Sequence, residues 1–400
     1  MEEEPPPYNA RRMHVTESCC WCPLNEPVTK PLLAVIGVLS VDNRWGLRNA
    51  ARKSWLGNAA AVDMEVRFIL RGIGIGKQTI AEAEAQRDIL FVHANSNATW
   101  PLQSMLRWFS CALASWPRAN LIGKADDDIW ASLPDIASSL RRSQAELVAA
   151  AASGGMYWGM MEDASWNTTS HLPHSFGGVR SAPCRHASLA TGSVHGPFVF
   201  AKGPLYFLSA ALVSRFLADA SLMADGHAAA AVAPSATSHR RKPWEDVFTG
   251  YALSRLGVAR VGVVDVPWSA VTEQWGFMAK PSALLYHMKR PKDPARILAM
   301  QAWASKHHCS AKLTNATCSR VPINRFERQY KPMRLRNCAP VRPASDAPRH
   351  GVHSRRGEAP PDARWLLCEA PRTSTPGVCS DALVDLKKYL KPKVRLERAA

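Results

Sequence analysis

Lys124-Ala-Asp-Asp-Asp-Ile-Trp130 sets three successive carboxylates directly behind a short apolar run, Leu121-Ile122-Gly123. Adjacent aspartates repel one another and are poor strand formers, so at a strand's end they bind metal, bind a ligand or sit in water. A second acidic site, Trp244-Glu-Asp-Val-Phe-Thr-Gly250, opens a helical pattern. As ordinary helix N-terminal acids, Glu245 and Asp246 would simply complement the helix dipole. Arg48 and Arg52 stand one turn apart on one helical face, where two guanidiniums either clamp a diphosphate or line a solvated basic face. His287 lies inside a strand-like run, Leu284 to Lys289, as a structural histidine or a ligand.

The elements around these residues alternate. Leu32–Leu39 is rich in branched residues, as a buried strand is, and Arg44 to Leu56 follows as a helix. Glu65–Leu70 and Asp88–Val92 read as strands separated by a helix from Lys77 to Arg87. Leu102, Met105, Leu106, Phe109, Leu113 and Trp116 recur at three- and four-residue steps, an apolar helical stripe that belongs to a core. The strand carrying the aspartates comes next, and Pro134 starts another helix. This alternation predicts an α/β fold with a largely parallel sheet covered on both faces, and ligands bind such sheets at the carboxyl ends of strands. The Asp run falls at such an end. From Met156 to about Pro197 the pattern is irregular; Gly203–Ser209 then leads into a helix, Ala210 to Leu217. The Ala-rich stretch 228–237 reads as part of a flexible insertion over about 219–242. A strand at Val261–Val266, the strand containing His287 and a helix from Arg296 to Trp303 complete the pattern. The expected division is an extension over 1–30, one domain over 31–305, and a Cys- and Pro-containing basic tail over 306–400, disordered or loop-rich.

Lys+Arg 50 against Asp+Glu 33 gives a net charge of +17, which favours anionic partners, although Arg342, Arg349, Arg355 and Arg356 put part of the surplus in the tail. Ten cysteines and the sequons at Asn97, Asn167 and Asn315 fit an oxidising lumen. Cys19-Cys20-Trp-Cys22 lacks a second ligand pair at zinc-site spacing, and the glycines of Gly72–Gly76 read as a flexible turn. No run of eighteen apolar residues occurs and the chain begins Met-Glu-Glu-Glu-Pro-Pro-Pro, so as written it reads as soluble.

Six segments, in order, resemble the β-1,3-galactosyltransferase family of glycosyltransferases, family 31. Arg48-Asn-Ala-Ala-Arg-Lys-Ser-Trp55 resembles its Arg-x-x-x-Arg-x-Thr-Trp signature, and Phe68-Ile-Leu-Arg-Gly72 its Phe-Leu-Leu-Gly strand. Asp88-Ile-Leu90 resembles its Asp-Ile-(Leu/Ile) segment, and Lys124-Ala-Asp-Asp-Asp128 its Lys-x-Asp-Asp-Asp core. Gly203-Pro-Leu-Tyr-Phe-Leu-Ser209 is similar to its Gly-x-x-Tyr-x-x-Ser motif, and Glu245-Asp-Val-Phe-Thr-Gly250 to its Glu-Asp-Val-x-x-Gly block.

The resemblance implies a GT-A-type Rossmann-like mixed sheet, a UDP-galactose or UDP-N-acetylglucosamine donor, a glycan or glycoprotein acceptor, a β-1,3 linkage and inversion at the anomeric carbon. It implies a divalent cation, Mn2+ first, on Asp128, Asp126 and His287, with Asp246 as the base. Arg48, Arg52, Lys124, Asp126 and Asp127 are implied on the donor side, and Glu245 and Tyr206 on the acceptor side. Family members are type II Golgi membrane proteins, so Golgi localisation and membrane association are expected, and nucleic acid is not. The alternative on the same fold is a non-catalytic module that binds glycans or other polyanions through its basic surface.

Overall fold

A computed structural model describes residues 28–71, 74–92, 101–149, 155–176, 193–232, 243–256, 261–265, 271–275, 278–279, 284–290, 292–307, 317–320, 365–369 and 384–385. The first half alternates strand and helix: β1 (Leu32–Leu39), α1 (Trp45–Arg52), β2 (Met64–Arg71), α2 (Lys77–Gln86), β3 (Ile89–Val92), α3 (Pro101–Ser115), β4 (Ala119–Asp126), β5 (Ile129–Ala131) and α4 (Leu133–Ala149). Three longer strands follow, β6 (Met156–Asn167), β7 (Leu172–Phe176) and β8 (Val194–Ser209), then α5 (Ala210–Ala218), α6 (Ala220–Ala230) and α7 (Glu245–Arg255). The remainder comprises β9 (Val261–Asp265), β10 (Val271–Trp275), β11 (Met278–Ala279), β12 (Leu285–Arg290), α8 (Pro294–His307), β13 (Thr317–Arg320), β14 (Trp365–Glu369) and β15 (Val384–Asp385).

The main sheet runs β13-β14-β9-β6-β8-β4-β1-β2-β3, with β7 paired to β6. β1 pairs in parallel with β2 and β4. Flanked on both edges, it buries both faces: Ala34, Ile36 and Val38 enter one core, Leu32 and Val35 the other. Helices α1, α4 and α8 cover the first face; α3, α5, α6 and α7 cover the second. This is the mixed α/β sheet, helices on both faces, that the sequence leads one to expect.

Three expectations are corrected. The region after Met156, irregular in its sequence pattern, holds β6, β7 and β8, and β8 runs antiparallel to both β4 and β6, so the largely parallel sheet is mixed at its middle. The expected flexible insertion at 219–242 contains α6, which Asp219 caps through the amides of Ser221 and Leu222, and which buries Leu222, Ala229 and Ala230. In the basic tail, β14 pairs in parallel with β9 and antiparallel with β13, extending the main sheet. The Cys19–Cys22 cluster, the sequons at Asn97 and Asn315 and the tail arginines lie outside the described residues. Asn167 ends β6 in the turn to β7, its Oδ1 accepting from the amides of Thr169 and Ser170. Cys111 on α3 is disulfide-bonded. Among the described residues no helix is long and apolar enough to cross a membrane.

Candidate active site

β4 delivers the aspartates at its carboxyl end. The chain turns through Asp127 and Asp128 into β5, which pairs antiparallel with β12 so that Ile129 faces His287. The Met288 amide donates to the Asp128 carbonyl at 3.0 Å, fixing this register beside the acids. His287 Nε2 thereby stands 3.5 Å from Asp128 Oδ1 and 3.9 Å from Asp126 Oδ2. Asp126, Asp128 and His287 each offer a ligand atom, all within 4.8 Å of one another. Both Asp128 carboxylate oxygens are buried, an arrangement an anion tolerates only where positive charge lies against it. Two carboxylates and an imidazole suit a divalent cation, so the donor set expected from the sequence is assembled.

Lys292 also reaches this site, with Nζ 2.5 Å from Asp128 Oδ2. Burial alone would raise the Asp128 carboxyl, but the His287 and Lys292 contacts outweigh it and hold the group well below the ordinary carboxylate range.

Asp127 points elsewhere. It accepts from Ser40 Oγ and Arg44 Nη1, each at 2.7 Å, and is 2% exposed. Its expected donor contact is therefore corrected: the side chain ties the Asp turn to the end of β1. Burial raises its carboxyl in spite of Arg44.

Lys124 lies fully buried between the two acidic sites. Its Nζ donates to Asp126 Oδ1 at 2.5 Å, to Glu245 Oε1 at 2.6 Å and to the Gly203 carbonyl at 2.8 Å. Burial disfavours the ammonium, but Asp126 and Glu245 overcome that and raise Lys124 well above its ordinary range. It remains charged. The expected donor contact of Lys124 becomes a positioning role, and Glu245, placed on the acceptor side by the sequence, is buried as its counter-charge.

Asp246 opens α7. Its Oδ2 accepts from the Gly203 amide and its Oδ1 from the Val247 amide, both at 2.8 Å. Burial, then the neighbouring Glu245 charge, raise its carboxyl from 3.8 to about 7 against the pull of Lys124 and the two amides. A carboxylate tuned to that range takes a proton near neutral pH. The two glycines of the motifs make this approach possible. A Cβ on Gly203 would meet Asp246 Oδ2 at 3.2 Å and Lys124 Nζ at 3.3 Å, and one on Gly250 would strike Phe200 Cβ and the Val199 carbonyl. Bare backbone at Gly250 lets α7 lie directly on β8.

Three further expectations are corrected. Arg48 is fully buried; its Nη2 pairs with Glu82 Oε2 at 2.5 Å and its Nη1 donates to the Val41 carbonyl at 2.7 Å. Arg52 pairs with Glu82 Oε1 at 2.6 Å and grips Asp88 through two nitrogens, at 2.7 and 2.8 Å. The motif arginines thus lock α1 to α2 and to the start of β3 instead of clamping a diphosphate. Tyr206 is fully buried, its hydroxyl 3.3 Å from Thr249 Oγ1, so it fastens β8 to α7 and does not meet an acceptor. Residues not foreseen from the sequence are Ser40, Arg44 and Lys292. For Lys292 the only sequence signal is a basic cluster, Lys289-Arg290-Pro291-Lys292, directly after the histidine strand.

The galactosyltransferase family model matches residues 47–263, more than half of the chain, and the matched segment spans both acidic sites. The chain belongs to the galactosyltransferase family. As a member of that family it is a glycosyltransferase. A search of curated proteins finds no match to it. Among solved structures it is similar to the WbbM bifunctional glycosyltransferase (9% identity, 70% of this chain and 52% of that one, TM-score 0.37), so it spans about half of WbbM's length. It is also similar to the galactosyltransferase LgtC solved with donor and acceptor sugar analogues (13% identity, 64% and 87% covered, TM-score 0.35). A third is mouse xyloside xylosyltransferase 1 (9% identity, 65% and 98% covered, TM-score 0.32).

Proposed function

We propose that this galactosyltransferase-family chain moves a hexose, galactose or N-acetylglucosamine, from a UDP-sugar to a hydroxyl of a glycan or glycoprotein, inverting the anomeric carbon and forming a β-1,3 linkage. The observation that carries this reading is the junction of two sites. Lys124 bonds Asp126 on the metal-ligand side, and Glu245 and Gly203 on the side of Asp246. Asp126, Asp128 and His287 would hold a divalent cation, Mn2+ by preference. Once bound, it would neutralise charge developing on the departing diphosphate. Asp246, its amide partners holding both oxygens in place, takes the proton of the acceptor hydroxyl as the oxygen attacks the anomeric carbon. The bond from that carbon to the diphosphate breaks, and its electron pair leaves with UDP. Lys124 fixes the spacing of acid and base. The family resemblance extends the proposal to the Golgi lumen and to membrane association.

The test is UDP release from UDP-galactose and UDP-N-acetylglucosamine over a panel of acceptors, with Mn2+ or EDTA, in wild type, Asp128→Ala and Asp246→Asn. Acceptor-dependent release that needs Mn2+ and is lost in both variants is expected. Release without acceptor would mean hydrolysis, and polyanion binding that survives Asp128→Ala with no release would favour the binding module. Either result overturns the transferase reading.

A further inference from the structure

Lys292 lies outside every motif of the family match, which ends at residue 263. It sits between β12 and α8, its side chain 41% exposed and its Nζ 2.5 Å from Asp128 Oδ2, on a carboxylate that is itself 1% exposed. The aliphatic stem therefore leads from solvent into the site. Asp128 presents its two oxygens to different partners, Oδ1 to His287 and Oδ2 to Lys292. A cation seated among Asp126, Asp128 and His287 would have to share Asp128 with this ammonium. Two positive charges on one buried carboxylate repel strongly, unless a further anion lies against both. The diphosphate of a nucleotide is such an anion, and lysine is a fitting point charge for it.

We propose that Lys292 is a diphosphate-binding residue of the donor site: it shares Asp128 with the divalent cation, presents a second positive charge to the nucleotide diphosphate, and opposes cation binding until that diphosphate arrives. This rests on the transferase reading above. The consequence is positive coupling between cation and nucleotide. Each improves the affinity for the other because each relieves or uses the same lysine charge.

The test measures Mn2+ binding to the full chain by the electron paramagnetic resonance of free Mn2+, without nucleotide and with UDP. UDP binding is measured by titration calorimetry with Mn2+ present. Lys292→Met should bind Mn2+ alone about fivefold more tightly than wild type, and UDP about tenfold more weakly. Lys292→Arg, which keeps the charge, should stay close to wild type. Pyrophosphate should reproduce the UDP effect on Mn2+, since the lysine reads phosphate and not uridine. A lysine that only braced the fold would weaken both ligands, so changes of opposite sign distinguish the roles. The inference is overturned if Mn2+ binding depends on Asp128 yet Lys292→Met binds Mn2+ no more tightly, or binds UDP as well as wild type. Mn2+ binding in wild type that Asp128→Asn leaves intact would overturn both this inference and the metal site on which it rests.

Discussion

Replacing Asp246 by asparagine should abolish transfer and yet stabilise the fold, with a pH dependence that follows from the site. Burial and Glu245 raise this carboxyl from 3.8 to about 7. Between those values the folded protein keeps a proton that the unfolded chain has released, so wild-type stability falls as pH rises, by about 1.4 kcal/mol per unit. Below 3.8 the group is protonated in both states and contributes nothing; above about 7 it is ionised in both and the full penalty applies. A span of about three units sets a ceiling of about 4 kcal/mol. Asparagine returns about 1–3 kcal/mol of that gain, because its amide turns a donor towards one of the two backbone N–H groups that the carboxylate now receives. That loss is independent of pH, so the shape of the curve survives it. Urea unfolding of both proteins from about pH 4 to about pH 8 should show the variant gaining on wild type up to about pH 7 and holding its gain beyond. Wild-type transfer should rise over the upper part of the same window as the base ionises. A stability difference that is flat in pH would refute the raised carboxyl and, with it, the choice of base.

Tyr206→Phe removes only the hydroxyl that meets Thr249 and should cost about 1 kcal/mol in urea unfolding, with the acceptor KM unchanged. A raised KM would return Tyr206 to the acceptor site. Arg48→Met leaves Glu82 with one guanidinium in place of two and should cost about 3–5 kcal/mol. UDP affinity in the surviving folded fraction should be unchanged, whereas a selective loss of UDP binding would restore the diphosphate clamp.

The sequence showed which residues matter more clearly than what each one touches. The stripe on α3 and the branched run of β1 were legible because periodicity reports burial directly. Arg48 and Arg52 were placed on the right helix, but spacing gives a face and not a partner: Glu82 and Asp88 lie more than thirty residues further along the chain. The strands β6 and β8 escaped because register shifts at Gly159/Met161 and Ala164/Trp166 break the alternation that marks a strand. In α6, alanines and a glycine resembled low complexity, yet small residues are what its packing needs. A Cβ on Gly226 would meet Leu106 Cδ1 at 3.0 Å and Phe248 Cζ at 3.1 Å. The Asp126, Asp128 and His287 cluster was implied by the family resemblance, whereas Lys292 carried no periodic signal at all.

Lys124 has a consequence for how such an enzyme can change. One buried ammonium answers to Asp126 at the end of β4 and to Glu245 at the start of α7. A lineage that alters Glu245 leaves that ammonium with one counter-charge fewer, and the disturbance reaches Asp126 through a single atom. The start of α7 and the end of β4 are thus inherited as one unit, and a change of charge at one calls for a compensating change at the other.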